Sequence, residues 1–461
     1  MTTTRLVAAP PQGLGPRRRR TVLAVCCLSL FLVGMDTTIV NIGLPAIGRD
    51  LGGGTRGLEW IVDAYTLVLA GLLITSGAVA DRVGRRRVFQ TGLVVFGVAS
   101  VGCAVAPSLG VLVAARVVQG VGASMLSPVA LAIVVNAITD PRERARAIGV
   151  WAAVFGVSMA AGPVVGGALV SAVGWRGVFW VNLPVIVGAL VLSAVFVPES
   201  RAARARRLDP PGQVLLMLLV GLTVGVLIEG PRLGWGSDRA LAGYGAVLGL
   251  GVVFVLVESR RAEPLMDPRL FRRRSFAGAV FGAVVVFVAL NVTLLLNTLY
   301  LQHVRGMSPA AAGALTLPMA VGATVCAPWA GRMVGQRGPR LPLALAGAFT
   351  AAGGLVLAGV DARTPWPVLL CAYLAIGVGF GFANAPLTNT AVSGLPAERA
   401  GVAGGTTSTA RQVGAAVGIA VAGAFVSDGG GGGLVAAARP GWLVVAGCGV
   451  LLVGVAAVAA G

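Results

Sequence analysis

Along most of the chain, runs of about twenty apolar residues alternate with short polar connectors, and a run of that length is what an α-helix needs to cross a hydrocarbon core. Fourteen such runs are legible, centred near Leu32, Ala70, Phe96, Val121, Val157, Val187, Leu219, Leu248, Val288, Val321, Gly347, Gly377, Gly414 and Leu451. The seventh and eighth, around Leu219 and Leu248, have the least distinct edges. Some connectors carry helix-start chemistry. Asp140-Pro141-Arg142-Glu143 supplies an N-cap, a proline at the first helical position and an acid at the third. Ser308-Pro309 opens the tenth run in the same way.

The polar positions add sidedness. All 36 basic residues are Arg, and 26 of them fall in one alternating set of connectors, 8 in the other and two, Arg116 and Arg411, inside apolar runs. By the positive-inside rule the Arg-rich set is cytoplasmic, so fourteen spans leave the N-terminus and the C-terminus inside. The stretch Arg17–Arg20 followed by Thr21–Met35 superficially resembles a cleaved signal, but the apolar run continues beyond any cleavage site. It reads as a retained first span.

Composition agrees, and it excludes whole classes of chemistry. Hydrophobic residues make up 56% of the 461 positions and charged residues 11%, whereas a soluble chain needs about a quarter charged. The 68 glycines suit close helix approach in lipid. With no Lys, neither a Walker-type phosphate loop nor a Schiff base can form. His303 is the one His, and the six Cys all lie in apolar runs without metal-ligand spacing. No cofactor or metal is expected, and no enzyme. The net charge of +19 is spread between apolar runs, so anionic lipid headgroups, not nucleic acid, are its expected counter-ions.

An internal repeat organises the spans. Gly77-Ala-Val-Ala-Asp81-Arg82-Val-Gly84-Arg85-Arg86 follows the second, and Gly331-Arg-Met-Val-Gly335-Gln336-Arg-Gly338-Pro-Arg340 follows the tenth. Gly77 aligns with Gly331, Gly84 with Gly338 and Arg86 with Arg340 at one offset. The layout is then a cytoplasmic arm (1–20), a six-helix half (21–200), a two-helix insert with basic loops (201–275) and a second six-helix half (276–461). Transporters built from two such halves bind cargo near the membrane midplane and alternate access by rocking one half on the other.

The segment from Gly77 to Arg86 resembles the cytoplasmic signature of the major facilitator superfamily. Met35-Asp36-Thr37-Thr38-Ile39-Val40-Asn41-Ile42-Gly43-Leu44-Pro45 is similar to the first-span motif of its fourteen-span drug:proton antiporters. Arg116-Val-Val-Gln119-Gly120, Gly162-Pro163-Val-Val-Gly166-Gly167, and Trp175-Arg176 with Phe179, Asn182 and Pro184 extend the likeness in order over the first 200 residues. The resemblance implies an all-α membrane fold of fourteen helices arranged six, two and six, and a monomer is expected. It also implies proton-driven export of drugs, antibiotics or secondary metabolites across the cell membrane.

Particular residues follow from cost and from likeness together. A carboxylate inside an apolar helix costs at least ~2.5–3.5 kcal/mol, so Asp36 is read as the group that gains and loses a proton as access alternates; the competing reading is a permanently paired structural acid. Arg116 is its natural partner, because an always-charged guanidinium in a span must face protein or water. In the resembled family this Arg belongs to the proton-coupling motif, with Gln119 beside it; alternatively the pair is a static staple. Pro163 has no N–H for the Met159 carbonyl, and Gly162 and Gly166, with Ser158, make a smooth face. The likeness makes Gly162, Pro163, Gly166 and Gly167 the antiporter signature; the competing reading is ordinary small-residue packing.

Gly77, Asp81, Arg82, Gly84, Arg85 and Arg86 are expected to form a conformational latch, or else only a solvated loop. Asp63 and Tyr65 in the second span, Gln119, and Arg411 in the thirteenth are candidates for the substrate path. Phe31, Tyr65, Phe155 and Phe380 either stack on cargo or pack. The expected partners are a small hydrophobic or amphipathic molecule and protons. Uptake or facilitated diffusion by the same fold, and more remotely a membrane-embedded enzyme or sensor, are the rival readings.

Overall fold

The computed structural model describes residues 15–52, 54–138, 140–201, 209–261, 264–266, 268–392, 397–427 and 433–458. All regular structure within them is helical. Helices α1 (Pro16–Leu51), α2 (Thr55–Val83), α3 (Arg85–Ala104), α4 (Leu109–Ser124), α5 (Ser127–Ala137), α6 (Pro141–Val173), α7 (Gly177–Trp180) and α8 (Asn182–Phe196) precede the pair α9 (Pro210–Leu233) and α10 (Asp238–Arg260). After these come α11 (Arg274–Leu299), α12 (Pro309–Leu315), α13 (Leu317–Arg337), α14 (Arg340–Ala358), α15 (Trp366–Val392), α16 (Ala397–Ser427) and α17 (Gly433–Val458). Among the described residues thirteen helical stretches are long and apolar enough to cross a membrane. The expected fifth run lies in α6, which is 33 residues long, with its shorter apolar stretch at Ala161–Val173. Of the expected arm, residues 1–14 lie outside the described residues, and α1 begins at Pro16.

Several runs that look continuous in sequence are broken in space, and proline marks the breaks. The fourth is split between α4 and α5 at Met125-Leu126, with Pro128 in the first turn of α5. The tenth is split at Thr316, with Pro318 in the first turn of α13. Proline has no N–H to leave unsatisfied there and its fixed φ suits a helix start. The caps expected at Asp140 and Ser308 are present: Asp140 Oδ1 accepts from Glu143 N at 2.8 Å, and Ser308 Oγ from Ala311 N at 3.3 Å.

The repeat is visible in backbone geometry. Gly84 ends α2 with φ +129° and its N–H bonds to Ala80; Gly338 ends α13 with φ +76° and bonds to Val334. Positive φ is the reason for glycine at both sites. The following Arg85 and Arg340 each begin a helix.

The two halves touch through α2 against α16, α6 against α12 and α13, and α1 against α11. Part of this contact lies toward the end away from the Arg-rich loops. There Gln302 donates to the Ile42 carbonyl at 3.1 Å and the Ala310 N–H to Ser171 Oγ at 3.1 Å. Helix α9 lies against both α2 and α16 and so bridges the halves. Gln213 of α9 donates to the Gly71 carbonyl and accepts from Thr75. Helix α10 leans on α9 and turns apolar side chains such as Leu248 and Val252 outward.

Candidate functional site

The expected pairing of Asp36 with Arg116 is present. Asp36 comes from the middle of α1 and Arg116 from α4, and neither has any exposed surface. Arg116 Nη1 donates to Asp36 Oδ2 at 2.6 Å and to Gln119 Oε1 at 2.7 Å, while its Nε donates to the Ile61 carbonyl at 3.0 Å. Asp36 Oδ1 accepts from Gln119 Nε2 at 3.1 Å and from Asn182 Nδ2 at 3.0 Å. Ser100 Oγ of α3 closes the ring, receiving Gln119 at 2.9 Å and Asn182 at 3.3 Å. The Tyr65 ring covers the guanidinium at 4.1 Å from its centroid. Five helices therefore converge on one carboxylate. Two of them, α4 and α8, donate to the carboxylate directly, and α2 and α3 hold those donors.

Tyr65 and Gln119 were expected on the substrate path; both are fully buried inside this cluster. Helix periodicity explains the placement. Ile61, Tyr65 and Leu69 lie on one face of α2, toward α4, where the Tyr65 carbonyl also meets Gly120 closely. Asp63 lies on a different face of α2, wholly buried, and neither carboxyl oxygen has a hydrogen-bond partner among the described residues.

At the Arg-rich end Asp81 Oδ1 receives Arg85 Nε at 3.0 Å and Nη2 at 2.9 Å, across the turn between α2 and α3. A second acid, which sequence reasoning missed, joins them. Glu199 beyond α8 accepts from Arg86 N at 3.1 Å and Arg87 N at 3.3 Å, capping the start of α3. A Cβ on Gly84 would lie 2.7 Å from Glu199 Oε1, a second reason for glycine there beside its φ. A Cβ on Gly77 would meet only Pro128 among the described residues, at 3.9 Å. No local pattern marks Glu199, because its partners are 112 and 113 residues away.

The Gly-Pro-Gly-Gly segment of α6 lies where three helices meet. Cβ atoms on Gly162 and Gly166 would run into Thr38 and Ile39 of α1, the latter at 2.8 Å, so the smooth face expected for this helix packs on the first span. Gly167 approaches the backbone of Pro309 and Ala310 in the other half. The contact is reciprocal: Gly313 of α12 lies against the Pro163 carbonyl. Nothing in the sequence flags Gly313, one glycine among 68.

Arg411 lies mid-way along α16, partly exposed, and donates to the Thr388 hydroxyl of α15. Phe380 meets Phe287 edge to face at 5.6 Å and Phe31 packs on the core. The Phe155 side chain lies outside the described residues.

A bundle of apolar helices in two contacting halves, a loop motif repeated at one end and charges sunk inside one half together define a membrane transporter. The chain belongs to the Major Facilitator Superfamily, whose sequence profile matches residues 26–419. Multidrug resistance protein Stp of Mycobacterium tuberculosis is 38% identical over 401 residues, 87% of this chain and 74% of that protein. The tetracenomycin C resistance and export protein of Streptomyces glaucescens is 37% identical over 421 residues, 91% and 78%. The methylenomycin A resistance protein of Streptomyces coelicolor is 34% identical over 437 residues, 92% and 90%. Among solved structures, the fold matches an inward-facing, unoccupied bacterial homolog of the human lysosomal transporter Spinster, with a TM-score of 0.65 at 18% identity over 97% of both chains. It also matches a peptide transporter in complex with sulfate, with a TM-score of 0.67 at 16% identity over 98% of this chain and 96% of that one.

Proposed function

We propose that the protein is a proton-coupled antiporter that exports hydrophobic or amphipathic small molecules, such as a drug, antibiotic or secondary metabolite, across the cytoplasmic membrane. The observation that carries this reading is the buried Asp36–Arg116 pair. A carboxylate held by one guanidinium and two amides, with no exposed surface, is a group whose charge costs or stabilises several interactions at once. Taking up a proton discharges it and loosens Arg116; releasing the proton tightens the cluster. That supplies two states for two orientations of the halves. The names of the relatives support export, since those proteins are a multidrug resistance protein and antibiotic resistance proteins.

The remaining parts take these roles. Gly162 and Gly166 seat α6 on α1, and Pro163 and Gly167 meet α12 in the joint between the halves. Gly77, Asp81, Arg82, Gly84, Arg85 and Arg86 latch the Arg-rich end with the help of Glu199. Asp63 and Arg411 line the path of the cargo in states where it is open. We further infer fourteen spans in a six, two, six order, with α6 as the fifth, both termini in the cytoplasm and Arg-rich loops on anionic lipid. The chain works as a monomer with domain limits near residues 20, 200 and 275. One proton charge crossing 100 mV supplies about 2.3 kcal/mol, enough for about fifty-fold accumulation.

The test is proton flux in vesicles. Substrate added to acid-loaded vesicles holding the purified protein should drive protons out of the lumen, and an uncoupler should abolish net transport. Intact transport with no coupled proton movement sinks antiport and favours a facilitator of the same fold.

A further inference from the structure

The N-terminal half balances its intramembrane cation; among the described residues the C-terminal half does not. From residue 276 onward the chain has three acids, Asp361, Glu398 and Asp428. Asp361 lies in the connector between α14 and α15, and Asp428 lies beyond α16 and outside the described residues. Glu398 is in the first turn of α16, thirteen residues or roughly 20 Å along the helix from Arg411. The charged side chains on the described helices of this half lie within two turns of a helix end, except Arg411. Its recorded bond goes to a neutral hydroxyl, that of Thr388. A guanidinium has five N–H donors in a planar fork and does not deprotonate, so among the described residues most of its donor capacity and all of its charge are unspent.

The direction in which Arg411 points follows from its neighbours. Val413, Ala416 and Ala420 pack toward α9. Gly405 and Thr409 meet α2 at Ile74 and the Ala70 carbonyl, and Gly414 and Gly418 press on Val284 and Val288 of α11. At 100° per residue, Arg411 occupies the face opposite α9, between the directions of α2 and α11, which is the inside of the bundle. On that face Gly404, Ser408 and Arg411 are partly exposed, whereas Ala415, Ile419 and Ala422 are buried. The interior is therefore open from Gly404 as far as Arg411 and shut beyond it. Across from it α15 offers Asn384, partly exposed, and Thr388, exposed. Phe380, one turn further along α15, joins Phe287 as an aromatic wall at the closed end.

We propose that Arg411, with Thr388 and Asn384, is the anchor for an acidic group on the cargo, so that the transported class is amphipathic organic anions: aromatic or polycyclic molecules bearing a carboxylate, phenolate or enolate. This rests on the exporter reading above and adds the charge of what is carried. The planar fork takes such a group through two parallel N–H bonds, the geometry that distinguishes Arg from Lys. The apolar body of the cargo lies toward Phe380. A cationic drug would meet an uncompensated like charge at the same depth.

Two dyes with one xanthene skeleton and opposite charge test this: fluorescein as the anion and rhodamine 123 as the cation. Binding to the purified full-length protein is read by fluorescence anisotropy, and uptake into everted vesicles under a pH gradient is read in parallel. Wild type should bind fluorescein in preference to rhodamine 123. Arg411→Gln should weaken fluorescein binding about ten-fold or more, the loss expected for one charged hydrogen-bonding partner. Arg411→Lys should recover part of it, and rhodamine 123 binding should be unchanged or tighter in both variants, which also shows that they fold. Absence of fluorescein binding by wild type, equal binding of the two dyes, or an Arg411→Gln protein that binds fluorescein like wild type overturns the anion site. Charge discrimination that persists while fluorescein flux ignores the pH gradient leaves the site standing and removes the proton coupling. Gradient-driven flux of both dyes without discrimination does the reverse.

Discussion

Replacing Asp36 by Asn removes a single charge from the centre of the buried cluster. The side chain keeps its shape and one acceptor, so Gln119 and Asn182 still have an oxygen to donate to at about their present 3.1 and 3.0 Å. The new amide nitrogen faces Arg116 Nη1, which now lies 2.6 Å from Asp36 Oδ2, and two donors meet. Arg116 has no exposed surface through which to find water. Stranding one member of a buried pair costs about 3–5 kcal/mol. The Ile61 carbonyl and the Tyr65 ring still hold the guanidinium, which puts the expected loss near the lower end, about 3 kcal/mol. Adding Arg116→Gln removes the stranded charge, and the double variant should regain about 2 kcal/mol relative to Asp36→Asn alone. Unfolding midpoints of the detergent-solubilised wild type, both single variants and the double variant supply the cycle. Additive losses would refute the claim that the two residues act as one unit. The same Asp36→Asn protein should insert in the membrane yet lose gradient-driven export. Wild-type export by it would remove Asp36 from the coupling step while leaving the stability argument untouched.

Other substitutions probe the joint and the latch. Gly162→Leu should abolish or strongly reduce transport by wedging α6 away from Thr38 and Ile39 of α1, and normal turnover in a vesicle assay would show that this face tolerates bulk. Gly84→Ala should be more damaging than Gly338→Ala: both glycines have positive φ, but only at Gly84 would the added Cβ also strike Glu199, so equal midpoint shifts contradict the contact. Glu199→Ala should destabilise by about 0.5–2 kcal/mol, the usual value of a helix cap, and an unchanged midpoint would exclude Glu199 from holding the start of α3.

How much of this was legible in the sequence depends on the distance over which each signal acts. Apolar runs and Arg sidedness act locally, and they drew the helices closely: α9 and α10, the hardest to bound, are both present. Asp36 and Arg116 could be paired before any coordinates were known, because the cost of charge in an apolar helix leaves few alternatives. The amides and hydroxyl that complete their cluster were not legible. Ser100 is an ordinary serine in an apolar run, and it meets Gln119 and Asn182 only because α3, α4 and α8 converge. The split of the fourth and tenth runs into two helices each was also missed, although Pro128 and Pro318 stood in view. A proline flanked by apolar residues reads equally well as a kink or a fresh start, and only packing decides.

The contact between α6 and α12 bears on how such a protein can change. Gly167 meets the backbone of Pro309 and Ala310, and Gly313 meets the carbonyl of Pro163, so the surfaces in contact are main chain on both sides. Main chain is the same whatever the side chains elsewhere become. On the proposed reading, mutations that reshape the interior around Arg411 or Phe380 alter what is carried without disturbing this bearing between the halves. Conversely, the bearing accepts no added atom, so it should stay constant through a history in which the cargo does not.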